Sequence, residues 1–166
     1  MKKIKLGWLL LLIISINLIG CTTYYFKEDL NSVMGLENIE IEKKIIYDEW
    51  GGLYGDKLLL EEYKLSDKTI ADFIKNIETQ KEFKYKDKTI TWQKAPIVTS
   101  HKKALSRIIE HKPTDTELNV KIEQIKALIQ TPNTYYSLAY EEKDDYVQLF
   151  VVDLKTKSLF AIDQQM

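Results

Sequence analysis

The sequence predicts an α+β domain: an antiparallel sheet of about five to six strands with two or three helices packed on one face. Two observations lead to this fold class. Segments rich in branched and aromatic residues stand near both ends of 39–166, and segments with an apolar residue every three or four positions lie between them. Strands and helices that are segregated along the chain in this way are typical of α+β domains.

The first two strands are predicted at 39–50 and 57–65. Residues 39–42 alternate isoleucine with glutamate, the period of two expected of a half-buried strand. Three of the six glycines lie between the two segments, at 51, 52 and 55. Since glycine adopts positive φ angles without steric penalty, this cluster predicts a hairpin turn.

Three helices and one further strand are predicted in the middle of the chain. Ser66 can cap a helix whose apolar stripe contains Ile70, Phe73, Ile74 and Ile77. Residues 83–92 alternate loosely and predict a strand or extended segment. A short helix is predicted over 102–111, and another follows the capping-box spacing of Thr114 to Glu117 and ends before Pro132.

The last third of the chain predicts three strands. Residues 135–141, 146–153 and 158–163 are rich in aromatic and branched side chains, and short polar segments separate them. Three strands joined by short turns predict an antiparallel meander.

The N-terminus has the pattern of a secretory signal. Residues 1–5 contain three lysines, and the apolar run that follows is shorter than the roughly 18 residues that a membrane-spanning helix needs. This run ends in Leu18-Ile19-Gly20-Cys21. That tetrapeptide resembles the lipobox of bacterial lipoproteins, and the resemblance covers residues 1–21 only. An uncleaved membrane anchor is the alternative interpretation.

The resemblance implies that residues 1–20 are a signal peptide removed before Cys21. It also implies that the Cys21 sulfur receives a diacylglyceryl group and that the new amino group is acylated, for example with palmitate. The mature protein would then be held at a membrane of the bacterial cell envelope through lipidated Cys21. Because Thr22, not Asp, follows the cysteine, the outer membrane is expected if the cell is Gram-negative. Residues 21–38 are interpreted as a tether and 39–166 as a single α+β domain.

Charge and cysteine content exclude several classes of function. The chain has 24 basic and 25 acidic residues, and the loss of three lysines with 1–20 would leave 21 against 25. Without a basic field, nucleic acid is not expected as a partner. Cys21 is the only cysteine, so no disulfide and no thiol nucleophile is expected in the domain.

Catalytic and metal-binding motifs are absent from the sequence. His101 and His111 stand ten residues apart without ligands at metal-site spacing, and they are interpreted as exposed residues at helix ends. The acidic group within 141–145 lacks the spacing of a calcium loop and is interpreted as a solvated hairpin turn. Arg107, the only arginine, is interpreted as a surface side chain. We therefore predict no catalytic residue, no metal and no cofactor.

Three functions remain open from the sequence. The first is a lipid-anchored module that binds another envelope protein, with Trp50 and Tyr54 beside the glycine-rich turn as its partner surface. The alternative is an envelope hydrolase or carbohydrate-active enzyme that uses paired carboxylates near 51–56, namely Asp48 or Glu49 with Asp56. The third is a purely structural lipoprotein.

Overall fold

The structure is a computed structural model that describes residues 29–51, 56–85, 88–141 and 146–165. The signal peptide, Cys21 and Tyr54 lie outside the described residues. The helices are α1 (Leu30–Met34), α2 (Asp67–Thr79), α3 (Lys102–Glu110) and α4 (Thr116–Leu128). The strands are β1 (Ile41–Gly51), β2 (Asp56–Leu65), β3 (Glu82–Tyr85), β4 (Lys88–Thr91), β5 (Gln93–Lys94), β6 (Thr134–Glu141), β7 (Tyr146–Asp153) and β8 (Ser158–Gln165).

The fold is α+β, as predicted. Six strands form one antiparallel sheet in the order β1-β2-β8-β7-β6-β5, and β3 and β4 form a separate hairpin. The first hairpin and the C-terminal meander are both confirmed. They join where β2 pairs with β8, so the last strand of the chain lies inside the sheet.

Local signals identified α2, α3 and α4, with one difference at a cap. The Ser66 side chain accepts a hydrogen bond from the Thr69 N–H at 3.1 Å, as the predicted cap of α2 requires. The cap of α4 is Asp115, which accepts from the Leu118 N–H at 2.8 Å. Thr114, the predicted cap, bonds Glu49 of β1 instead.

The segment predicted as one strand over 83–92 contains the hairpin of β3 and β4. Phe83 pairs with Ile90, and Tyr85 pairs with Lys88. Phe83, Tyr85 and Ile90 are all buried, which explains the apolar alternation in the sequence. Alternation reports which side chains face the core, but it does not show where a strand folds back on itself.

Helices cover both faces of the sheet, whereas the sequence predicted one covered face. We call the face that carries Tyr63 and Phe150 face A, and the face that carries Leu60 and Leu149 face B. Helices α1 and α2 and the β3–β4 hairpin pack on face A. Helices α3 and α4 pack on face B. The cause is visible in β7 and β8, whose residues are buried almost without interruption, because successive strand side chains point to opposite faces.

The folded domain begins before residue 39, because α1 lies in the segment predicted as a tether. Leu30, Val33 and Met34 of this helix are buried in the face A core. The Trp92 indole N–H donates a hydrogen bond to the Val33 carbonyl at 2.8 Å. Gly35 ends the helix at φ +66°, where a Cβ atom would collide with the Phe83 ring. Helix α1 thus packs as part of the domain, whereas the sequence predicted residues 21–38 as a tether.

A chain that starts at residue 39 should be much less stable than one that starts at residue 29. The shorter chain loses three buried side chains and leaves the buried Trp92 N–H without its acceptor. Emptying a single buried Leu or Met site costs about 2–5 kcal/mol, so we expect a loss of several kcal/mol in the free energy of unfolding. Urea unfolding of both chains measures this loss. Equal midpoints would contradict the assignment of α1 to the core.

Candidate functional site

The end of β1 is bonded to the loop between α3 and α4 through Glu49. Its carboxylate accepts hydrogen bonds from the Thr114 N–H at 2.9 Å and from the Thr114 hydroxyl at 2.7 Å. The His111 Nε2 atom lies 3.7 Å from the other carboxylate oxygen. The hydrogen bond from the Thr114 hydroxyl is the main reason why the pKa of Glu49 is lowered.

The hydrolase hypothesis pairs either Asp48 or Glu49 with Asp56, and the structure places Asp48 and Glu49 in different surroundings. Asp48 and Glu49 are consecutive residues of a strand, so their side chains point to opposite faces of the sheet. Asp48 is exposed, whereas Glu49 is half-buried and already bonded to Thr114. A lowered pKa favours the charged carboxylate, which is the opposite of what a general acid needs. The side chain of Asp56 lies outside the described residues.

The two histidines lie at the two ends of α3, as predicted, but both are half-buried. The His101 ring packs edge-on against Tyr136, with ring centres 5.9 Å apart. The Arg107 guanidinium lies over the Tyr140 ring at 5.3 Å, so it packs against an aromatic side chain and is not a simple surface residue.

The predicted partner surface falls largely outside the described residues. Tyr54 is not described, and of Trp50 only the backbone is, which pairs with Lys57 in the first hairpin. Within the described ranges, the exposed large apolar side chains are Ile46, Val98 and Val120, which are far apart in sequence. The acidic turn is likewise described only at its edge, where Glu141 pairs with Tyr146 as a hairpin requires.

A buried charged cluster lies on face A between β1 and β2. Glu61 is fully buried, and its carboxylate lies 2.8 Å from the Lys44 ammonium. The Tyr63 hydroxyl donates a hydrogen bond to the same carboxylate, and burial together with this neighbour raises the pKa of Tyr63. Both partners of Glu61 come from the first hairpin, so the cluster joins strands and does not line an open cleft.

The described surface contains a cleft of about 520 Å³, which we call the Trp92 cleft. This volume is in the range of ligand-binding pockets in proteins. It lies beside the two-residue edge strand β5, between the end of α2 and the start of β6. The residues that line it are Ile77, Glu78, Lys81, Thr91, Trp92, Gln93, Lys94 and Tyr135.

The apolar wall of the Trp92 cleft is held in place by aromatic packing. Phe73 contacts Trp92 edge-on with ring centres 4.9 Å apart, and it contacts Tyr135 in the same way at 6.0 Å. The Trp92 indole is fixed further by its bond to Val33. Lys81 and Lys94 are exposed at the rim. Glu78 is exposed at the same rim. Trp92 is 2% exposed and Tyr135 is half-buried, so Tyr135 presents the accessible aromatic surface of the cleft.

Sequence reasoning did not identify the Trp92 cleft. Its lining comes from α2, β4, β5 and β6, which are up to 58 residues apart between Ile77 and Tyr135. No sequence motif and no residue spacing indicates such a site. The only local signal is Trp92, the last residue of the segment 83–92 that was predicted as a strand or extended segment.

Comparisons with protein-family models, with curated proteins and with solved structures found no match for this chain. In the described ranges no helix is long and apolar enough to cross a membrane. The same ranges contain no group of three or more His, Cys, Asp or Glu side chains that could hold a metal ion.

Glu49→Gln should destabilise the protein in a way that depends on pH. At neutral pH the loss of the charged acceptor should cost about 1.5–3 kcal/mol, the range for hydrogen bonds to a charged group. Because the folded-state pKa is lowered, the wild-type advantage is present above the unfolded pKa of about 4.3 and is lost as the pH falls through the lower folded value.

Urea unfolding between neutral and acidic pH measures this difference. The matched control is Asp48→Asn, which changes the exposed neighbour and should stay within about 0.5 kcal/mol of wild type. A difference between Glu49→Gln and wild type that does not shrink in acid would contradict the assigned role of this carboxylate.

Proposed function

We propose that the protein is a lipid-anchored lipoprotein of the bacterial cell envelope and that its folded domain is a binding module for another envelope protein. The Leu18–Cys21 lipobox pattern supports the anchor. The single observation that carries the binding role is the Trp92 cleft, which combines an immobilised aromatic wall with two lysines at its rim. If the cell is Gram-negative, the residue after Cys21 favours the outer membrane.

The ligand that suits the Trp92 cleft best is an extended segment of a partner protein. An apolar side chain of the segment would pack on the half-buried Tyr135, and an acidic residue would pair with Lys81 or Lys94. Such a module needs no catalytic residues. The described contacts support the hydrolase alternative less well, since the Glu49 carboxylate is already bonded to Thr114 and its pKa is lowered.

Lipidation is tested by the N-terminus of the wild-type protein in membranes. We expect mass spectrometry to find a chain that begins at Cys21 and carries acyl groups, because the peptidase cleaves after the small residue Gly20. Cys21→Ser should leave an unprocessed precursor that begins at Met1, because the thiol that receives the lipid is gone. An intact Met1 terminus together with an unmodified Cys21 in the wild type would end the lipoprotein proposal.

Partner binding is tested by reversing the charges at the rim of the Trp92 cleft. The double variant Lys81→Glu, Lys94→Glu should reduce capture of the partner from membranes at least about tenfold, which corresponds to about 1.4 kcal/mol. Both side chains are exposed, so the unfolding midpoint should change little. Lys112→Glu is the matched control, because this exposed lysine lies in the loop after α3.

Quantitative mass spectrometry of proteins captured by the tagged, membrane-tethered chain gives the readout. Equal capture by the wild type, the double variant and the control would exclude the Trp92 cleft as the partner site. Equal loss in the double variant and the control would indicate a general effect of charge on capture.

A further inference from the structure

Strand β1 forms an open edge of the six-stranded sheet. From Lys43 to Gly51 it pairs regularly with β2 on one side, after an irregularity between Ile41 and Lys43. On its other side no strand follows within the described part of the chain. An edge of this length presents a row of backbone N–H and C=O groups that can pair with a further strand.

The charges along β1 reverse in sign about Ile46. Lys43 and Lys44 precede the apolar residues 45–47, and Asp48 and Glu49 follow them. In an antiparallel pair of two such strands with Ile46 opposite Ile46, Lys44 faces Asp48 of the second copy and Lys43 faces its Glu49. Opposite charges placed directly across from each other stabilise antiparallel strands.

In the same register, directly opposed side chains of the two copies lie on the same face of the sheet. Directly opposed residues of an antiparallel pair share a face, and β1 places Lys44, Ile46 and Asp48 on face A. The two-fold axis is then perpendicular to the sheet, and face A of one copy continues into face A of the other. Ile46, which is 46% exposed, would pack against its counterpart.

Other registers lose these contacts. A shift that centres the pair on Tyr47 places Ile46 opposite Asp48, and one that centres it on Ile45 places Lys44 opposite Ile46. Parallel pairing in register places like charges side by side, which destabilises a sheet. Only the arrangement centred on Ile46 combines two kinds of ion pair with an apolar centre.

The existing contacts of these charges are compatible with this arrangement. Lys44 already pairs with Glu61 and keeps 16% of its side chain exposed, and Glu49 already accepts bonds from Thr114. Lys43 and Asp48 are exposed. Each new ion pair therefore joins an exposed charge to one that the fold already holds in place, which lowers the entropy cost of forming the pair.

We propose that a second copy of this chain pairs with β1 in antiparallel orientation, centred on Ile46, so that two six-stranded sheets form one continuous sheet. Lysines on an edge strand commonly prevent such pairing. Here each lysine meets a carboxylate of the second copy. This inference does not depend on the Trp92 cleft or on lipidation.

Cysteine cross-linking of the full chain tests the register. In the proposed dimer the two Cα atoms at position 46 lie about 4.5–5.5 Å apart, within the range that a disulfide spans. Ile46→Cys should therefore give a covalent dimer on mild oxidation. After digestion with trypsin, which cleaves behind Lys44, mass spectrometry should find a disulfide between two copies of the peptide that begins at Ile45. The wild type, which retains Cys21, shows any background from that thiol.

Asp48→Cys is the matched control, because it is exposed and on the same face. Its two copies would be offset by four residues, roughly 13 Å along the strands, which is too far for a disulfide. Equal cross-linking at positions 46 and 48, or none at position 46, would overturn the proposal. A disulfide that joins the Ile46→Cys variant to a different protein through position 46 would also overturn it, by identifying another occupant of the edge.

The charge pattern is tested without cysteines by Asp48→Lys in the full chain in detergent. This change places two lysines across from each other at two symmetry-related positions, so the dimer dissociation constant should rise at least about tenfold at low salt. Sedimentation measures it, and Glu82→Lys provides an exposed control on β3 that should leave the constant unchanged. A wild-type chain that stays monomeric at every concentration would refute the dimer.

Discussion

Strands β7 and β8 have almost no solvent-facing side, and the architecture depends on this double burial. Side chains alternate along each strand, so Phe150 enters the face A core and Leu149 the face B core. One layer of helices would leave half of these residues in water. The chain meets the requirement with α1, α2 and the small hairpin on one face, and with α3 and α4 on the other. Each of these helices, and the small hairpin, therefore buries side chains of β7 and β8 that are distant from it in sequence.

Glu61 is a fully buried carboxylate in this largely apolar core, and its position limits its cost. It lies one strand in from the edge, where Lys44 can reach it at 2.8 Å and keep contact with solvent. A buried ion pair adds little stability by itself, because desolvation offsets the attraction. It does disfavour one slip of the register, since a shift that puts Ile45 in the place of Lys44 would leave the carboxylate buried without a cation. A shift in the other direction would bring Lys43 to that position. Strand β1, which carries Lys44, is an edge strand within the described part of the chain.

Local patterns in the sequence were sufficient for the type and order of most elements but not for α1 or the Trp92 cleft. Helix α2 was predicted from its regular apolar period, and the C-terminal strands were predicted from their aromatic and branched residues and the short polar segments between them. Helix α1 has five residues, too few for a period, and its burial depends on partners such as Phe83 and Trp92. The cleft joins segments that lie far apart in the chain, so its geometry has no local signal.

The amino-acid sequence alone determined the α+β class, the first hairpin, the C-terminal meander and the order of charges along β1. These properties follow from backbone preferences and from apolar periods within short segments, which report that a side chain is buried. They do not report what it is buried against. Only the tertiary structure decided that helices cover both faces, that Thr114 bonds Glu49 and does not cap α4, and that β1 remains an edge. Each of these outcomes depends on which distant segment packs against a given surface, and that is decided by the packing of the whole chain.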